Sequence, residues 1–124
     1  MKKALIVDDS TCVRKVMEIL VGALDFELIE EAENGKVAVQ KYKEFKPDVV
    51  FMDIKMDEMD GLEALRRIIK YDPDANVIIT SGLTDEEDVV EKAKKLGAKA
   101  LLPKPLDVKD VEQAINKIRS EKDF

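Results

Sequence analysis

Asp48-Val49-Val50-Phe51-Met52-Asp53 is the stretch that decides the fold: four apolar residues in a row, entered after Pro47 and stopped by a carboxylate. A run that is apolar at both odd and even positions has no polar face. That suits a strand covered on both sides of a parallel sheet. The same pattern recurs in Ala4-Leu5-Ile6-Val7, which runs into Asp8-Asp9, and in Asn76-Val77-Ile78-Ile79-Thr80. Ala98-Lys99-Ala100-Leu101-Leu102 is a weaker case, and Phe26-Glu27-Leu28-Ile29-Glu30 is mixed, as an outer strand would be.

Helical periods lie between these runs. Val13, Val16, Met17, Leu20 and Leu24 form one stripe, and Ala38, Tyr42 and Phe45 a second. Leu62, Leu65, Ile68 and Ile69 form a third, Val89, Val90, Ala93 and Leu96 a fourth, and Val108, Val111, Ile115 and Ile118 a fifth. All are read as core-facing surface. Asn34 reads as a helix N-cap, Thr84 with Glu87 as a capping box, and Gly97 as the glycine that follows a helix. The order is βαβαβαβαβα. Strict alternation predicts an α/β fold, a doubly wound five-stranded parallel sheet with five helices and right-handed crossovers.

Composition narrows the function. The 124 residues suit one domain spanning 1–124, and 45% hydrophobic with 39% charged residues reads as globular. Net charge is −6, which disfavours a nucleic-acid binder; Lys92, Lys94 and Lys95 read as a solvated helix face. With Cys12 alone, no internal disulfide can form, and Cys12 reads as a small packing residue. No apolar run approaches the ~18 residues of a membrane span, and the N-terminus lacks a signal-peptide pattern. A cytoplasmic protein is expected. The absence of histidine removes Ser-His-Asp and Cys-His nucleophile systems and histidine metal ligands.

In open parallel sheets, ligands bind beyond the C-terminal strand ends. The polar residues gather there: Asp8-Asp9 after the first strand, Asp53 after the third, Thr80 after the fourth, and Lys104-Pro105 after the fifth. Two carboxylates on neighbouring strands, ~5 Å apart at an effective dielectric of ~20, repel by ~3 kcal/mol. Such a cluster calls for a proton or a cation, and a hard divalent ion such as Mg²⁺ suits oxygen ligands. Asp53 is the candidate nucleophile, because an aspartate can form an acyl phosphate and this one ends the central apolar strand. Asp8 and Asp9 read as metal holders. Thr80 and Lys104 read as groups that bind phosphate oxygens by hydrogen bond and charge.

At these residues the chain resembles the receiver-domain family of two-component response regulators, and is similar to its single-domain, CheY-like members. The matching strings are Leu5-Ile6-Val7-Asp8-Asp9-Ser10, Met52-Asp53-Ile54, Met59-Asp60-Gly61, Ile79-Thr80-Ser81-Gly82 and Lys104-Pro105. The resemblance implies a flavodoxin-like fold with sheet order 2-1-3-4-5, and phosphorylation of Asp53 by a partner histidine kinase. It implies Mg²⁺ held by Asp9, Asp53 and the backbone carbonyl of Lys55, with Asp8 assisting through water. It also implies that Thr80 and Lys104 carry the switch, and that output passes to a protein target through helix four, strand five and helix five. A chemotaxis role and a monomer are expected.

Three positions depart from the family pattern: Leu101 where an aromatic residue is usual, Asp57 where proline is frequent, and Lys55 two residues past Asp53. Two other readings compete. A metal-dependent aspartyl phosphatase of the haloacid-dehalogenase type would carry a second Asp where Lys55 stands. A phosphate-independent scaffold is suggested by Leu101 and opposed by the intact acid cluster, Thr80 and Lys104.

Overall fold

The computed structural model describes residues 3–56, 58–82 and 87–121. Its elements alternate without exception: β1 (Lys3–Val7), α1 (Thr11–Gly22), β2 (Leu28–Ala32), α2 (Gly35–Phe45), β3 (Val49–Asp53), α3 (Gly61–Tyr71), β4 (Val77–Ser81), α4 (Glu87–Leu96), β5 (Ala100–Pro103) and α5 (Val108–Glu121). All neighbouring strands pair parallel, in the order β2-β1-β3-β4-β5. The α/β architecture and the sheet order expected above are both present.

Alternation along the central strands divides the core in two. Leu5, Val7, Val50, Met52, Val77 and Ile79 point to one face and meet Ala38 and Tyr42 of α2, Leu65 and Ile68 of α3, and Ala93 of α4. Ala4, Ile6, Val49, Phe51 and Ile78 point to the other and meet Met17 and Val21 of α1 and Val111, Ile115 and Ile118 of α5. This is why the strand runs carry no polar position. Burying such side chains contributes ~1.5–3 kcal/mol each before chain entropy is counted.

Several local expectations shift. The second strand lies at Leu28–Ala32 rather than 26–30, in register with β1 through Lys3↔Leu28 and Val7↔Ala32. Phe26 instead plugs the α1–α5 side of the core. The strand accepts Glu30 and Glu31 because it is an edge, where Lys41 and Arg14 pair with their carboxylates. The fifth strand is Ala100–Pro103, and Pro103 is tolerated because β5 is the opposite edge. On α1, Val16 is 59% exposed and drops out of the inward stripe, which runs through Met17 and Val21. Val108 opens α5 and is 44% exposed, so it too leaves its stripe. Cys12 is exposed in the first turn of α1, so it is not a packing residue. Asn34 does cap α2, accepting from the Val37 N–H at 2.9 Å, and Gly97 adopts φ 112° after α4. Thr84 of the expected capping box, and Asp57, lie outside the described residues.

Candidate phosphoacceptor site

Parallel pairing brings the C-terminal ends of β1, β3, β4 and β5 to one edge of the sheet, and the register sets which residues meet there. Asp53 is the Cα partner of Thr80, and Val7, just before Asp8, is the partner of Met52. Oxygen atoms of Asp8, Asp9 and Asp53 lie within 4.8 Å of one another. Asp8 is 1% and Asp53 8% exposed, whereas Asp9 faces solvent.

Lys104 spans this group from the loop after β5. Its ammonium lies 2.9 Å from Asp8 Oδ2 and 3.1 Å from Asp53 Oδ1. Burial alone would lower the Lys104 pKa, but its hydrogen bond to Asp8 and the charge of Asp53 outweigh that and raise it. For Asp53 the balance runs the other way. Burial, reinforced by the charge of Asp8, pushes its carboxyl above the ordinary 3.8, although Lys104 and the Ile54 N–H both favour the carboxylate. One ammonium therefore does not fully compensate the acids that surround it.

Local structure fixes each acid separately. The Asp8 N–H extends the β1–β2 pairing to Ala32 O at 3.1 Å, and Asp8 Oδ1 accepts from the Ser10 N–H at 2.9 Å. Ser10 then caps α1 by accepting from Val13 N–H at 3.3 Å. Asp53 Oδ1 accepts from the N–H of Ile54 at 2.9 Å. The loop after β3 is closed by the Gly61 N–H, which donates to Ile54 O at 2.7 Å, and Asp60 caps α3 by accepting from Glu63 N–H at 2.9 Å. Thr80 is 1% exposed, and its hydroxyl oxygen has no hydrogen-bond partner among the described residues. A buried hydroxyl left in this state beside a carboxylate is a group awaiting a partner.

Beside the acids lies a cleft of about 450 Å³ lined by Asp9, Ile54, Lys55, Met56, Asp60, Leu62 and Val89. Lys55 is exposed on its wall. All the acidic ligand atoms are carboxylate oxygens, two of the three acids are buried, and Asp53 is pushed toward protonation. That donor set fits a hard cation. The structure thus brings Asp8, Asp9, Asp53, Thr80 and Lys104 to one edge and puts Lys55 on the adjoining loop. Leu101 sits elsewhere: it pairs with Ile79 across β4–β5 and packs, partly buried, against the α2–α4 side of the core.

The sequence reading gave no role to two contributors, Gly61, quoted only within the Met59-Asp60-Gly61 string, and Arg14. Gly61 lies against the Asp53 backbone, and its signal was the Asp60-Gly61 pair at a helix start. Arg14 reaches back from α1 to Asp8, and no local pattern announces it.

Comparison with known proteins agrees with this geometry. The profile of the response regulator receiver domain matches residues 4–116. The chain is 48% identical over 117 residues to the chemotaxis protein CheY of Listeria monocytogenes, covering 94% of this chain and 98% of that one. It is 43% identical over 117 residues to the chemotaxis protein CheY of Thermotoga maritima, covering 94% and 97%. Among solved structures it resembles CheY in the CheX-CheY-BeF3-Mg+2 complex of Borrelia burgdorferi, with a TM-score of 0.87 and 35% identity over 94% of this chain and 88% of that one. With sheet order, edge residues and relatives in agreement, this chain belongs to the response regulator receiver domain family.

Proposed function

We propose that this protein is a single-domain, cytoplasmic response regulator that accepts a phosphoryl group on Asp53 from the phosphohistidine of a partner kinase. The observation that carries the proposal is the setting of Asp53: a desolvated carboxylate held 3.1 Å from the Lys104 ammonium, next in register to a buried Thr80 hydroxyl that has no partner among the described residues. A carboxylate oxygen of Asp53 attacks phosphorus, the phosphorus–nitrogen bond of the donor breaks, and its electron pair stays on the imidazole. Lys104 turns from Asp53 toward the phosphoryl oxygens, and the Thr80 hydroxyl donates a hydrogen bond to one of them.

Asp9, Asp53 and the backbone carbonyl of Lys55, with Asp8 assisting through water, would hold Mg²⁺, whose charge offsets the repulsion between an incoming phosphate and the carboxylates. The protein's own turnover is confined to taking up this group and losing it to water.

Output is through protein contacts of a monomer. The chain spans 97–98% of the length of the Thermotoga and Listeria CheY relatives, and their name supports a place in chemotaxis. The Borrelia relative was crystallised in complex with CheX, so a CheX-like protein is one candidate partner class. No described helix is long and apolar enough to cross a membrane. Because Leu101 stands where the family usually has an aromatic ring, movement of Thr80 toward phosphate is read out by packing of an aliphatic side chain.

Incubation with acetyl phosphate and Mg²⁺, followed by intact-mass measurement, tests the reading. One added phosphoryl group is expected on the wild type and none on Asp53→Asn or without Mg²⁺. No adduct on the wild type, with a cognate kinase also supplied, would leave the phosphate-independent scaffold as the better reading.

A further inference from the structure

Arg14 has no role in phosphoryl transfer as proposed above, yet its side chain reaches back to hold the acid loop at the Asp8 carbonyl. From the first turns of α1 its Nη1 donates to the Asp8 carbonyl at 2.6 Å, its Nε to Glu31 Oε1 at 3.0 Å, and its Nη2 to Thr11 Oγ1 at 3.2 Å. Its side chain is only 13% exposed, so its bonds to Asp8 and Glu31 are partly sheltered from competing water, while the one to Thr11 is exposed.

The carbonyl it grips belongs to the peptide that joins Asp8 to Asp9. A peptide is a rigid plane, so holding its oxygen also fixes the direction of the Asp9 N–H and limits where the Asp9 side chain can start. Other bonds do not do this. The Asp8 N–H and carboxylate are fixed by Ala32, Ser10 and Lys104, and the Asp9 carboxylate accepts no hydrogen bond among the described residues. Asp9 is exposed, so packing does not aim it either. Glu31 in turn orients the guanidinium from β2, which makes a path from the edge strand through Arg14 to the Asp8–Asp9 peptide.

We propose that Arg14 is a positioning residue for the cation site: by clamping the Asp8 carbonyl against Glu31 it presents the exposed Asp9 carboxylate to the metal. The proposal rests on the reading of Asp8, Asp9 and Asp53 as a Mg²⁺ site. Partners lying behind metal ligands characteristically set affinity by ~10–100-fold. A lysine cannot reproduce the clamp, because one ammonium cannot match the planar fork that reaches Asp8 and Glu31 together.

Calorimetric titration with Mg²⁺, beside thermal melts in EDTA, tests this on the wild type, Arg14→Ala and Arg14→Lys. Arg14→Ala is expected to weaken Mg²⁺ binding by ~10-fold or more, and Arg14→Lys to give an intermediate loss while regaining most of the melting temperature. If Arg14→Ala does not fold, the Arg14→Lys comparison carries the test. Mg²⁺ affinities within twofold of wild type in the variants that fold, whatever their melting temperatures, would make Arg14 merely structural and overturn the proposal. A wild type that binds no Mg²⁺ would overturn instead the site reading beneath it, so the two failures are distinct.

Discussion

Gly61→Ala puts one methyl group where the site has no room for it. A Cβ at this position would stand 2.1 Å from the carbonyl oxygen of Asp53 and 2.9 Å from its carbonyl carbon and from Ile54 Cα. Real Cβ atoms essentially never come closer than 3.0 Å, so the start of α3 and the end of β3 must part by about 1 Å. The obstacles are backbone atoms and cannot rotate away. The Gly61 N–H also donates to Ile54 O at 2.7 Å, so the two segments are tied where they would have to separate. Overpacking of this kind costs ~1–3 kcal/mol. Alanine's advantage over glycine in a helix returns up to ~1 kcal/mol, so the net loss is ~1–2 kcal/mol. For a chain of this length that lowers the melting temperature by roughly 4–8 °C. The displaced atoms carry Asp53, and a ~1 Å misplacement can cost ~10²-fold in rate, so phosphoryl uptake from acetyl phosphate should fall ~10–100-fold. Circular-dichroism melts and time-resolved intact mass measure both quantities. A variant that melts at or above wild type and is phosphorylated at the wild-type rate would show that helix propensity decides this position and that the close approach to Asp53 is of no consequence.

Two further outcomes follow from the same geometry. Burial and then Asp8 hold the folded pKa of Asp53 above 3.8, so its ionisation costs stability: nothing below pH 3.8, a penalty that grows as pH rises through the folded value, and a constant loss above it. Without divalent cations Asp53→Asn should therefore melt above wild type at pH 7, with the gap closing as pH falls toward 3.8; a gap of opposite sign refutes the desolvation argument. Asp9→Asn should melt within ~0.5 kcal/mol of wild type in EDTA, because Asp9 is exposed. Mg²⁺ at 100 times its Kd should stabilise the wild type by ~2.7 kcal/mol and Asp9→Asn much less; an equal rise in both would remove Asp9 from the ligand set.

How far the fold could be read from sequence depended on whether each residue's neighbours were local. Ala4–Val7, Val49–Met52 and Val77–Ile79 announce themselves because a strand covered on both faces must be apolar throughout. The edge strand was legible as an outer strand but two residues early, because Glu30 and Glu31 fit a sheet only with Lys41 and Arg14 beside them. Phe26 and Val16 misled in the opposite direction, one an apolar residue outside any element yet 8% exposed, the other inside a helical period yet 59% exposed. Hydrophobicity says that a side chain favours burial; whether a second surface arrives to cover it is a property of the packed helices.

By itself the sequence determined the alternating α/β order and the presence of carboxylates, a hydroxyl and an ammonium just past the strand ends, because both are written in residue type and short-range period. Only the tertiary structure decided which of those groups meet. Lys104 and Asp8 are 96 positions apart and touch at 2.9 Å because β5 and β1 lie in the same parallel sheet. Asp53 and Thr80 are neighbours because register makes them so, and Arg14 serves the acid loop because β2 delivers Glu31 to its other side. Hydrogen bonding acts only within ~3 Å, so separations that the chain order leaves open are what turn a list of polar residues into a site.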